Sequence, residues 1–103
     1  MRRLCRVDRV IEGLPLKVMV PGLPPLAVFR RGDTFHVVDA LCTHGWAWLT
    51  EGHQSGWQVQ CPLHGGAFDI RDGAVLAPPY TVPLKTYPAR VESGFVNLVD
   101  VNL

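Results

Sequence analysis

Two short clusters, Cys42-Thr43-His44 and Cys61-Pro62-Leu63-His64, each pair one thiol with one imidazole, so any fold for this chain has to bring their two loops together. A C-x-H followed sixteen residues later by a C-x-x-H offers two soft anionic sulfurs and two neutral nitrogens, a ligand set for iron or zinc. Zinc fingers group like with like, two cysteines and then two histidines. Here each cluster supplies one of each, which suits a sulfide-bridged pair of irons in which two histidines replace two cysteines on one metal. A structural zinc site without redox activity stays open as the alternative.

At 103 residues the chain reads as a single domain, 1–103, with the metal-binding subdomain at about residues 40–80. A domain this small buries only about 60 to 70% of the surface its unfolded chain exposes, so a centre that ties two loops together contributes materially to stability. Ten Lys and Arg against nine Asp and Glu, without a basic run, argue against nucleic acid or a membrane surface as partner. No stretch approaches the roughly 18 apolar residues of a membrane span. Three cysteines and no secretory signature predict a reducing compartment, the cytoplasm. The chain is expected to be a monomer. Arg2-Arg3 is not expected to begin a twin-arginine leader, because Arg6, Asp8, Arg9 and Glu12 interrupt any apolar region. Cys5 reads as a small buried hydrophobe.

Strand signals fill the rest. Leu4 to Ile11 is rich in Val and Ile and is expected to be a strand ended by Gly13-Leu14-Pro15. Leu16 to Val20 alternates, then Pro21-Gly22 and Pro24-Pro25 break the chain. Leu26 to Arg31 and Thr34 to Asp39 flank Gly32-Asp33 as a hairpin, with His36 on the face opposite Phe35 and Val37 and expected at the surface. Gly52, Ser55 and Gly56 read as turns, with His53 a solvated loop residue. Trp57 to Gln60 alternates inward and outward and delivers Cys61, while Ala67 to Ile70 turns at Asp72-Gly73 into Ala74 to Leu76. Pro78-Pro79 opens a stiff loop ending at Pro83, and Leu84 to Glu92 is expected to pair with Phe95 to Val101 across Ser93-Gly94. No helical period is present. About ten short strands predict an all-β domain.

The neighbours of the four candidate ligands favour a compact inorganic core. Gly45 and Gly65-Gly66 remove side chains where backbone must come close, leaving N–H groups to hydrogen-bond sulfide. Pro62 stiffens the second loop, and Trp46, Leu63 and Phe68 are expected to shield the centre from water. Cys42-Thr43-His44-Gly45 with Cys61-Pro62-Leu63-His64-Gly65-Gly66-Ala67-Phe68-Asp69 resembles the Rieske ferredoxins of bacterial aromatic-ring-hydroxylating dioxygenase systems, the biphenyl-type ferredoxins in particular. The resemblance covers essentially the whole chain. It implies the Rieske fold, three small antiparallel sheets with a cluster-binding subdomain formed by two hairpin loops. It also implies one [2Fe-2S] cluster per chain, with Cys42 and Cys61 on the buried iron, His44 and His64 on the outer one, and the proline loop at Pro78-Pro79 covering it.

Respiratory-complex members of that superfamily carry an extra disulfide where this chain has Ala47 and Leu63, and hydroxyl donors where it has Gly66 and Phe68. Fewer donors mean less stabilisation of the reduced cluster, so the potential is expected at the low end of the Rieske range of about −150 to +300 mV. Histidine ligands are further expected at the most exposed part of the site, with their deprotonation coupled to redox state. The chain has no nucleophile paired with a base, no phosphate loop and too little length for a substrate pocket. It is therefore read as a one-electron carrier rather than an enzyme. The resemblance implies a flavin-containing NAD(P)H-dependent reductase as donor and a terminal Rieske non-haem iron oxygenase as acceptor. A Rieske-like small subunit of another oxidoreductase, of nitrite reductase type, is the second reading.

Overall fold

The computed structural model describes residues 1–43, 45, 47–63, 65–78 and 81–99. Its middle layer follows from the longest apolar run in the chain. β3 (Leu26–Arg31) and β4 (Thr34–Asp39) pair antiparallel from Leu26 opposite Asp39 to Arg31 opposite Thr34, closed by Gly32-Asp33 as the sequence predicts. β2 (Leu16–Val18) and β9 (Thr86–Tyr87) flank them, giving the order β2-β3-β4-β9.

Alternation sends the two faces of this hairpin into different cores. Ala27, Phe29, Val38 and Ala40 face one core, which also holds Cys42, Cys61, Val59, Phe68, Ile70 and Leu84. Leu26, Val28 and Val37 face the other, with Val10, Tyr87, Val96 and Leu98. On the first side lies the sheet β5-β6-β7-β8, formed by His53–Ser55, Gln58–Gln60, Ala67–Asp69 and Val75–Ala77. On the second lies β1-β11-β10, formed by Arg2–Arg6, Phe95–Leu98 and Ala89–Glu92. The expected three antiparallel sheets are therefore present, and the helical content among the described residues is two 3-10 turns, Val7–Arg9 and Leu49–Glu51.

Three local expectations change. β1 stops at Arg6 rather than reaching Ile11. The Arg30 guanidinium donates to the carbonyls of Val7 and Val10, at 3.3 Å each, and the turn they form drives Val10 into the core with no exposed surface. A register shift between Arg3 and Cys5 lets both Leu4 and Cys5 pack on that core, where Cys5 is half-buried and desolvation pushes its thiol up against the opposing pull of Arg9. The run from Leu84 to Glu92 is two strands in two sheets, because Pro88 has no N–H to continue a ladder: Tyr87 pairs with Val37 and Ala89 with Leu98. The pairing of β11 is described to Leu98, and Val101 lies outside the described residues.

His53 is exposed as expected, yet it belongs to β5, a strand with no apolar alternation. His36, expected at the surface, is half-buried. Its face of the hairpin is covered, since the ring stands edge-on to Trp57 at 5.6 Å, and Trp57 packs on the cysteine-bearing core. The sheet is buried on both sides, so facing away from Phe35 and Val37 does not mean facing water.

Candidate metal centre

Each candidate cysteine stands at the root of a hairpin tip. The first tip is closed by a bridge between Leu41 and Trp48 and by the Cys42 N–H donating to the Ala47 carbonyl at 3.0 Å. The second is closed by Gln60 opposite Ala67 and by the Cys61 N–H donating to the Gly66 carbonyl at 2.8 Å. Gly45 and Gly65 sit within these tips at φ of 78° and 70°, the left-handed geometry that a tight reversal needs. β4 feeds the first tip through Ala40, and β6 and β7 carry the second, so two sheets hold the roots in register.

Both cysteines are buried thiols, 2% and 3% exposed, within one apolar core. The residues that follow them, Thr43 in the first tip and Pro62, Leu63 and Gly65 in the second, are exposed. Each tip thus runs from a buried sulfur at its root to a solvent-facing crest. His44, Trp46 and His64 lie outside the described residues, as does Pro79. A third segment closes on the first tip: the Thr43 hydroxyl donates to the Val82 carbonyl at 2.9 Å, and the Leu84 N–H donates to the Gly73 carbonyl at 2.9 Å. Pro78, at the start of that loop, is exposed.

Around the roots, Phe68 is fully buried and fits the role of an apolar wall. Leu63 does not sit as a buried shield, being 40% exposed. The Gly45 N–H, expected to be left over for sulfide, closes the tip on the Cys42 carbonyl at 2.7 Å. Ala47 is buried, with no thiol to cross-link the two tips there. Three contacts had no signal in the sequence, because each joins distant segments: Thr43 to Val82, the Lys17 ammonium 4.1 Å above the Trp48 ring, and Trp57 between the guanidinium groups of Arg31 and Arg71 at 4.7 and 4.8 Å. Asp69, the acid closing β7, takes a paired hydrogen bond from Arg71, which holds its carboxyl below the usual range.

Two thiols sharing one dry core at the roots of two tips fit the sulfur side of an iron–sulfur centre, with soft donors held at low dielectric. Comparison with known proteins decides the family. The Rieske [2Fe-2S] domain model matches residues 2–88. This chain belongs to the Rieske [2Fe-2S] family. Among relatives of this Rieske protein, the ferredoxin subunit of anthranilate 1,2-dioxygenase from Burkholderia cepacia is 42% identical over 92 residues, 89% of this chain and 84% of the relative. The solved ferredoxin of Sphingomonas yanoikuyae B1 superposes with a TM-score of 0.92 at 45% identity, covering 96% of this chain and 97% of that one. A ferredoxin in complex with the oxygenase of carbazole 1,9a-dioxygenase gives 0.87 at 38% identity, covering 93% and 89%. The cofactor of this Rieske protein is accordingly a [2Fe-2S] cluster.

Proposed function

We propose that this Rieske protein is a cytoplasmic one-electron carrier, accepting from a flavin-containing NAD(P)H-dependent reductase and donating to a terminal ring-hydroxylating oxygenase. Cys42 and Cys61 hold the inner iron and His44 and His64 the outer one. The observation that carries this reading is the gradient across each tip, from a sulfur 2 to 3% exposed to exposed residues on the crest. The bound cluster would supply a one-electron redox step, and two neutral imidazoles in place of two thiolates would raise its potential. The chain excludes water from the sulfur side with Phe68, Leu84 and Val59, and leaves Thr43, Pro62, Leu63 and Gly65 of the two tips exposed to a partner. Relatives named as ferredoxin components of anthranilate, p-cumate and naphthalene dioxygenase systems, and a solved ferredoxin in complex with the oxygenase of carbazole 1,9a-dioxygenase, support the choice of partners. With Gly66 and Phe68 where hydroxyl donors stabilise the reduced form in other branches, the midpoint falls at the low end of the family's range. Among the described residues no helix is long and apolar enough to cross a membrane.

The test is direct. The purified protein shows the visible absorption of a [2Fe-2S] centre, gives a Rieske-type EPR signal when reduced, and is required for NADH-driven turnover of a terminal oxygenase. A colourless protein holding one zinc ion would overturn the reading. Activity only as a tightly bound subunit of another oxidoreductase would favour the nitrite-reductase-type alternative instead.

A further inference from the structure

We infer that two opposed charges flank the centre and tune its potential: Lys17 beside the first tip favours the reduced state, and Glu51 beside the second disfavours it. This rests on the reading above that the two tips hold the cluster. Segments 41–50, 61–68 and 73–84, which supply the tips and the proline loop, contain no Asp, Glu, Lys or Arg, so any such charge acting on the centre comes from a neighbouring element. Lys17 is the exposed middle residue of β2, and its ammonium lies 4.1 Å from the centre of the Trp48 ring. Trp48 bridges Leu41 across the base of the first tip, next to the Ala47 carbonyl that takes the Cys42 N–H, and packs on the core that holds both thiols. The contact therefore fixes a cation at the root of that tip.

Backbone holds Glu51 at the second tip. It ends the 3-10 turn Leu49–Glu51, and its N–H donates to the Trp48 carbonyl at 3.0 Å. Gly52, which follows, runs so close to β6 that a Cβ there would collide with the carbonyl of Gln60, the residue before Cys61. Glu51 thus lines a cleft of about 370 Å³ together with Cys61, Pro62 and Gly65. Neither Lys17 nor Glu51 has an ion-pair partner among the described residues, whereas Asp69 and Arg71 neutralise each other. Lys85, next to the proline loop, turns its ammonium to Tyr87 of the other core. Uptake of one electron adds one negative charge to the centre, which a nearby cation stabilises and a nearby anion opposes. Both side chains are exposed, so water and salt screen them, and each changes the electron-uptake equilibrium by only a few-fold.

The experiment titrates the cluster-loaded protein with dithionite in the presence of redox mediators, at one pH and about 20 mM salt, and reads the midpoint from the visible spectrum. Lys17→Met is expected to lower the electron-uptake constant about threefold and Glu51→Gln to raise it about threefold, shifts of about 28 mV down and up for a one-electron couple at about 59 mV per tenfold. Lys17→Arg keeps the parent midpoint, and the double variant Lys17→Met, Glu51→Gln returns to it. Both single shifts shrink by at least about half at about 300 mM salt, while Glu92→Gln on β10, beyond the middle sheet, stays within about 1.5-fold of the parent throughout. If Lys17→Met or Glu51→Gln loses the cluster, Lys17→Gln or Glu51→Ala replaces it. A role in packing alone would move the two variants the same way or not at all. That result, with the parent spectrum retained, would overturn the opposed charges and leave the carrier standing. Cys42→Ser and Cys61→Ser proteins that keep the parent spectrum would instead overturn the placement of the cluster in the tips, and the opposed charges with it.

Discussion

Gln54 and His36 show how single polar side chains join the metal-binding half to the rest. Gln54 is 7% exposed, accepts from the Gly13 N–H at 3.0 Å, and donates to the carbonyls of Arg30 at 3.0 Å and Gly56 at 3.3 Å. One side chain therefore satisfies backbone from the N-terminal loop, the end of β3 and its own hairpin. Gln54→Leu keeps the volume but strands those groups, and is expected to cost about 2 to 4 kcal/mol, read from the urea midpoint. His36 makes the complementary case. Burial chiefly, then the Arg71 guanidinium, lower its pKa against the opposing pull of Asp69. A depressed imidazole binds fewer protons folded than unfolded, so the stability it contributes is present above about pH 6.5 and is lost as pH falls below that value. Between pH 7.5 and pH 5 the urea midpoint of the parent should therefore drop more than that of His36→Phe; parallel profiles would remove His36 from the account.

Elements whose signal is local were legible in the sequence. The β3–β4 hairpin, the strand entering Cys61 and the two-cysteine framework follow from alternation, turn residues and spacing. The split at Pro88 was visible as a proline but not as a change of sheet, because which strand Tyr87 and Ala89 each join is decided by Val37 and Leu98, far along the chain. β5 escaped notice because Gln54 is buried by hydrogen bonds rather than apolar character. His44 and His64 were singled out as candidate ligands by residue type and spacing and lie outside the described residues, whereas the covering contacts depend on which loops meet. Gly73 illustrates the last point. It read as half of an ordinary turn, yet a Cβ there would collide with the Leu84 carbonyl, and its φ of 78° disfavours any side chain. Gly73→Ala must move Leu84, which anchors the end of the proline loop. Strain and overpacking together predict a loss of about 2 to 4 kcal/mol in chemical denaturation, with faster cluster loss. A variant as stable as the parent would show that the loop yields freely there.

At the scale of the molecule, the β3–β4 hairpin divides two cores that depend on different things. The base core, with Val10, Val28, Val37, Val96 and Leu98, is closed by the chain itself, through β1 and β10 pairing on either side of β11. The other core surrounds Cys42 and Cys61, and the tips rising from it are short reversals held by a few backbone hydrogen bonds. Strands β5 to β8 are two or three residues in partnered length, short for strands, so this sheet has few ladder hydrogen bonds of its own and leans on what its loops hold. Binding free energy at such a centre is folding free energy for the part that forms it. Removing the cluster is thus expected to act unevenly. Amide hydrogen exchange in cluster-loaded and acid-stripped protein at the same pH should show protection lost by at least about tenfold across residues 53–60 and 67–77, with residues 2–6 and 89–98 nearly unchanged. The β3–β4 hairpin, serving both cores, should lie between. Uniform loss over all three sheets would mean that the halves unfold as one unit and that the cluster stabilises the whole protein rather than the side that holds it.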